Sequence, residues 1–150
     1  MKYWLVKSEP DEFSIDALQR VGVEPWSGVR NYQARNHLRG MKAGDQVLFY
    51  HSSCEVPGVV GVAKVAKAAF PDPTQFDPRS DYHDPKSDPA EPRWSAVDVA
   101  FVRKLKRTIT LDELRGRADK LGDFALIQRG SRLSVLPVTA AQWKIILAME

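Results

Sequence analysis

Cys54 is the single cysteine of this 150-residue chain, so no disulfide framework can form within it. A reducing compartment is the expectation, cytoplasmic or nuclear. No apolar run is long enough to cross a bilayer, and no membrane partner is expected. The N-terminal MKYWLVKSEP reaches Lys7 and Glu9 too soon for a signal peptide. Histidine is also scarce: His37, His51 and His83 lie far apart, and none has a partner at metal-ligand spacing. Neither G-x-x-x-x-G-K nor G-x-G-x-x-G occurs, which removes the common phosphate-cradling loops. G-x-S-x-G is missing too. The most catalytic-looking run is His51-Ser52-Ser53-Cys54-Glu55, but strand alternation would put His51 and Cys54 on opposite faces. A polar strand end with a buried thiol is the preferred reading, and neither a metal nor a cofactor is expected.

What is present describes an ordinary globular chain. At 43% hydrophobic content, 150 residues can close one core of their own, whereas two separate cores would each be marginal. One domain over residues 1–150 is therefore expected, and a monomer. The net charge of +3 is small but segregated. Residues 26–42 carry Arg30, Arg35, Arg39 and Lys42 with no acid, and residues 103–132 carry nine Lys or Arg against four acids. Residues 71–92 reverse the balance, with six acids against Arg79 and Lys86. Such segregation favours an anionic ligand.

Residues 2–7 read as a short strand ending at Ser8-Glu9-Pro10. Ser14 caps a short helix with Ile15, Leu18 and Gln19 on its apolar face, and Asn31 caps a second with Ala34, Leu38 and Met41. VLFY after Asp45-Gln46 is apolar on both faces and therefore central. Pro57-Gly58 turns into a long β-rich run in which Gly61 marks a bulge or a close approach. Six prolines keep residues 71–92 out of any regular element. WSAVDVAFVRKL alternates, with Val97, Val99 and Phe101 on one face and Trp94 out of phase with them. Thr110-x-x-Glu113 and Thr139-x-x-Gln142 are capping boxes; the first opens a helix with Leu111, Leu114 and Ala118 inward, the second one with Trp143, Ile146 and Leu147. Strands interspersed with short helices, without long crossover helices, point to an α+β fold with a curved, partly closed mixed sheet.

One stretch combines the groups that nucleobase recognition needs. WSGVRNYQARN, residues 26–36, offers aromatic walls, amides for base edges and arginines for phosphate, with no acid. If Asn31 caps a helix, the first-turn N–H groups beside Arg30 and Tyr32 form an anion site, and Trp26 in a Ser-Gly turn is free to project over a ligand. The competing reading, that Trp26 and Tyr32 cover the core edge, stays open on composition alone.

Five ordered motifs carry a resemblance over essentially the whole chain: KYWLVKSEPDEFS, W-x-G-V-R-N-Y-Q-A-R-N, VLFYHS, YHDPKS with the later PRW, and QRGSRLSV-x-P-V. The sequence resembles the EVE domain family of the PUA-like superfamily. That resemblance implies an α+β, PUA-like fold, a curved, barrel-like mixed β-sheet with short flanking helices, related to the YTH domains that read methylated adenine in RNA. It further implies a non-catalytic nucleic-acid-binding reader of a modified base, with modified cytosine in DNA favoured. The alternatives are an RNA-binding module and, less favoured, an enzyme acting on nucleotides. By similarity the base pocket draws on Lys7, Ser8, Glu9, Trp26, Val29, Arg30, Asn31, Tyr32, His51, Ser52, Trp94, Ser131, Leu133 and Ser134. Arg30, Arg35, Arg129 and Arg132 are expected on phosphates, and Trp26, with Trp94 or Tyr32, on the base.

Overall fold

The computed structural model describes residues Met1–Glu150. Six strands form one sheet: β1 (Tyr3–Ser8), β2 (Val23–Trp26), β3 (Gln46–His51), β4 (Gly58–Pro71), β5 (Ser95–Thr110) and β6 (Val135–Val138). Their order is β2-β5-β4-β3-β1-β6. β1 and β3 run parallel, and every other neighbouring pair is antiparallel. The sheet is mixed, as expected, and open: β2 and β6 are its edges. Short helices flank it: α1 (Ile15–Val21), α2 (Tyr32–Gly40), α3 (Leu111–Arg115), α4 (Ala118–Leu121) and α5 (Ala140–Ala148).

Side-chain alternation in the central strands builds a core on each face. In β1, Trp4 and Val6 point to one side and Leu5 to the other. In β3, Val47 and Phe49 share the first side, Leu48 and Tyr50 the second. The first core is covered by Ile15 and Leu18 of α1 and Ala34 and Leu38 of α2; the second by Leu114, Leu121, Trp143 and Ile146. VLFY is thus buried on both faces, as its composition demands. Gly61 combines both expected features. The β4–β5 register shifts beside it, and a Cβ there would collide with Ile15 Cδ1. Hence α1 packs directly on the strand backbone.

The helix caps form as read. The Ser14 and Asn31 side chains accept from Ala17 N and Ala34 N, and both capping boxes close. Two helix faces need correction. Gln19 is exposed, because α1 buries only Ile15 and Leu18. Ala118 is exposed as well, because the helix opened by Thr110 stops at Arg115 and Leu121 of the following helix fills the core instead.

At α5 the box does more than end a helix. Thr139 Oγ1 accepts from Gln142 N (3.1 Å), Gln142 Oε1 accepts from Thr139 N (2.9 Å), and Gln142 Nε2 donates to Leu121 O (2.9 Å). The cap therefore joins α5 to the end of α4. Thr139→Ala should cost about 1 kcal/mol. Thermal melting should record a fall in Tm of roughly 2–4 °C for a chain of this size.

Candidate nucleic-acid interface

Parallel β1 and β3 end side by side, and a cavity of about 570 Å³ opens beyond their carboxyl ends. Lys7, Ser8 and Glu9 line it from the end of β1, Ser52 and Ser53 from the end of β3. Glu24, Pro25, Trp26, Ser27 and Val29 form another wall, Arg132 and Ser134 precede β6, and Glu12, Phe13 and Tyr82 complete the rim. The volume suits a small ligand. Ser53 has φ +51, so the β3 end reaches the cavity through a left-handed residue that costs some backbone strain.

The charge inside is mixed. Three carboxylates, Glu9, Glu12 and Glu24, face two cations, Lys7 and Arg132. Burial raises the pKa of Glu24 and lowers that of Lys7, since each charged form loses hydration. A phosphate gains little among three carboxylates, whereas a neutral heterocycle with donors and acceptors finds both. The lining thus offers partners to a neutral ring with donors and acceptors more than to an anion. No group of three His, Cys, Asp or Glu side chains could hold a metal ion, and no helix is long and apolar enough to cross a membrane.

The structure brings together Lys7, Ser8, Glu9, Trp26, Val29, Ser52, Arg132 and Ser134 from the residues expected at the site. It places the others elsewhere. His51 Nε2 accepts a hydrogen bond from Ile15 N at 3.1 Å, so the imidazole caps α1. Burial lowers the His51 pKa, which keeps that nitrogen available as an acceptor. Asn31 likewise spends its side-chain oxygen on the α2 cap. Leu133 packs against both cores, and Ser131 and the exposed Arg129 do not line the cavity.

Trp26 does not project from a turn. It ends β2 and is 9% exposed, set edge-on to Phe13 (6.3 Å) and Phe49 (5.5 Å). Its indole is cavity floor anchored in the core. Trp94 and Tyr32 are not free to stack on a ligand together, because they stack on each other at 4.8 Å, with Trp94 only 6% exposed. Trp94 Nε1 also donates to Asp84 Oδ2 at 2.8 Å. Its off-phase position in the strand pattern is legible in the sequence; its partners are not.

Arg30 changes role altogether. Its Nη1 lies 3.0 Å from Oδ2 of the fully buried Asp72, and it also donates to Val29 O. Nη2 donates to Thr74 Oγ1 and Tyr82 O, and Nε to Tyr82 O. All five guanidinium hydrogens are thereby directed at the protein. None remains for a phosphate. Arg30 instead clamps the Pro-rich loop against β2 and α2.

The loop itself is ordered around buried Gln75. Its Nε2 donates to Asp72 O and Trp94 O, and its Oε1 accepts from Ser87 Oγ and Trp94 N. A side-chain amide satisfied at both ends substitutes for the ladder that prolines forbid. Held this way, the loop delivers Tyr82 to the cavity rim, 43% exposed. Its ring rests on Gly28, where a Cβ would come within 2.9 Å and where φ is +82. Glycine is required there on both counts. Tyr82 escapes a reading of the sequence because its Arg30 contacts span 52 residues; the YHDPKS motif is the signal that could find it.

Known proteins share this fold. The family model described as EVE domain matches residues 2–149. Thymocyte nuclear protein 1 of Rattus norvegicus is 45% identical over 166 residues, covering 99% of this chain and 73% of the relative. Among solved structures, a Pseudomonas putida protein is 55% identical with a TM-score of 0.95, covering 98% of each chain. The human THYN1 protein, solved in complex with 5-methylcytosine-containing DNA, is 41% identical with a TM-score of 0.95, covering 99% of this chain and 97% of that one.

Proposed function

Because the chain belongs to the EVE domain family, we propose that it is a non-catalytic reader of a modified base in nucleic acid, with modified cytosine in DNA the favoured target, and that residues 1–150 act as one domain. The observation that carries this reading is the human relative, which shares the fold at a TM-score of 0.95 and was solved with 5-methylcytosine-containing DNA.

The cavity chemistry supports it. Cytosine presents an exocyclic N–H₂ donor, for which a carboxylate is the matched acceptor. Glu9, Glu12 and Glu24 supply three candidates, while Lys7 and the serines Ser8, Ser52 and Ser134 can donate to the ring's acceptors. Phe13, Trp26 and Val29 provide apolar surface for a methyl group. Burying one methyl contributes only about 0.8 kcal/mol, so the mark is read by shape as well as by contact. A base taken from a duplex must first leave the stack, at a cost of a few kcal/mol.

Binding isotherms for one DNA sequence carrying cytosine or 5-methylcytosine, and for the matching RNA, test the reading at fixed salt. The methylated DNA should bind tightest, by at least about fourfold over cytosine if the methyl alone contributes. Equal affinity for plain and modified cytosines would remove the reader assignment. Preference for the RNA would move it to the RNA-binding alternative.

A further inference from the structure

A second cleft, of about 430 Å³, lies between α2 and the Pro-rich loop, and it has no hydrophobic lining. Arg35 and Arg39, one turn apart on α2, face Lys86 and Arg93 of the loop. Asp88 and Glu91 also line it, leaving four cations against two carboxylates. Neither carboxylate forms an ion pair with a cation of the cleft. Asp88 instead accepts from Ala90 N. Arg93 has Asp84 at 3.9 Å, while Arg35, Arg39 and Lys86 have no acidic partner.

The two helix arginines converge on one acceptor. Arg35 Nη1 and Arg39 Nη2 both donate to Arg93 O, at 2.9 and 3.2 Å. Arg39 Nε donates to Ser95 Oγ and its Nη2 also reaches Pro92 O, which leaves Nη1 uncommitted. Burial and the neighbouring Arg39 charge both lower the Arg35 pKa. Two like charges held together with no carboxylate paired to either are stabilised by an anion.

The cleft is also joined to the base cavity. The Tyr82 ring at the cavity rim lies 5.7 Å from the Arg30 guanidinium, Arg30 lies 5.3 Å from Trp94, Trp94 lies 4.8 Å from Tyr32, and Tyr32 lies 4.7 Å from Arg35. Rings and guanidinium groups in successive contact form a continuous ladder whose last rung, Arg35, lines the cleft. Its span is at most about 20 Å, or roughly six base-pair rises at 3.4 Å each.

We propose that the Arg35–Arg39–Lys86–Arg93 cleft binds a backbone phosphate of the same nucleic acid whose base occupies the cavity, a few nucleotides to one side of that base. This rests on the reader function proposed above, but its readout is separate. Lys86→Gln tests it cleanly, since the Lys86 side chain makes no hydrogen bond or ion pair, and Arg39→Gln provides a second variant. The probes are duplexes of about 16 base pairs, methylated and unmethylated at one central cytosine, titrated at several salt concentrations. The slope of log K against log salt should become shallower by about 0.9 for each phosphate that the variant no longer neutralises. The change should be the same for both duplexes and should vanish when one flank is trimmed to about two base pairs, well inside the ladder's span. Unchanged slopes in both variants overturn the proposal. So does a slope change that survives trimming of either flank, or a variant that alters the preference for the methylated duplex. If wild-type protein binds both duplexes equally, the reader function fails while the slope comparison still decides the cleft.

Discussion

Arg30→Ala should destabilise the protein more than any surface change, by about 3 kcal/mol, because it leaves the Asp72 carboxylate buried without its cation. Thermal melting should show a Tm loss of roughly 6–12 °C. Base binding should fall with it, although Arg30 does not itself line the cavity, since the Tyr82 carbonyl loses both of its donors. Arg30→Lys keeps a charge but not the planar fork, so its loss should be intermediate. The competing role, a phosphate contact, predicts the opposite pattern: a native Tm with a shallower salt slope. A native Tm in Arg30→Ala would return the residue to that role.

Acid provides a second route to the same clamp. Burial opposes ionisation of Asp72, but hydrogen bonds from Thr74, Gly28 and Arg30 outweigh it and hold the carboxyl below the usual carboxylate range. The folded pKa therefore lies below the unfolded value of about 3.9. Stability from this group is fully present above that unfolded value and is lost as pH falls through the depressed folded one. The clamp should hold through the neutral and mildly acidic range in wild type, and the acid-unfolding limb should flatten in Arg30→Ala.

Arg30 also shows where sequence reasoning stops. Local signals carry far: Ser14, Asn31, Thr110 and Thr139 cap the helices their positions suggest, because a cap and its N–H lie three residues apart. The central position of VLFY follows from its composition alone. Partners 42 and 52 residues away leave no such periodic mark, so in the sequence Arg30 looks like a free cation beside Tyr32. Trp26 misleads for a related reason. VEPW is four residues long and contains a proline, which is tolerable only because β2 is an edge strand paired solely with β5. Nothing local distinguishes that edge from a turn, so the tryptophan ending it reads as projecting. The Pro-rich loop is legible as mostly irregular, although Pro73–Phe76 form one 3-10 turn capped by Asp72, but not as rigid, since its order depends on one buried glutamine bonded to residues 3, 12 and 19 positions away.

For the proposed base reader, the exposed aromatic placed to stack on a base is Tyr82 at the rim, not the core-anchored Trp26. Replacing Trp26 removes core packing against Phe13 and Phe49, and weakened binding could not be separated from damaged structure. Tyr82 is exposed at the rim, its hydroxyl makes no hydrogen bond within the protein, and the hydrogen bonds from Arg30 go to its backbone carbonyl, so the ring itself meets Arg30 only through a 5.7 Å contact with the guanidinium. Tyr82→Ala should leave the folded state nearly intact, within about 1 kcal/mol, because a surface side chain away from the core is removed. Its effect should fall on the ligand. An aromatic stacked on a base contributes about 1–3 kcal/mol, so affinity should drop roughly 5- to 150-fold. Tyr82→Phe retains the ring and should bind like wild type. If the alanine variant binds methylated DNA at full affinity while its Tm is unchanged, the rim aromatic does not stack on the base. Recognition would then rest on the anchored floor of Trp26 and on the donors and carboxylates around it.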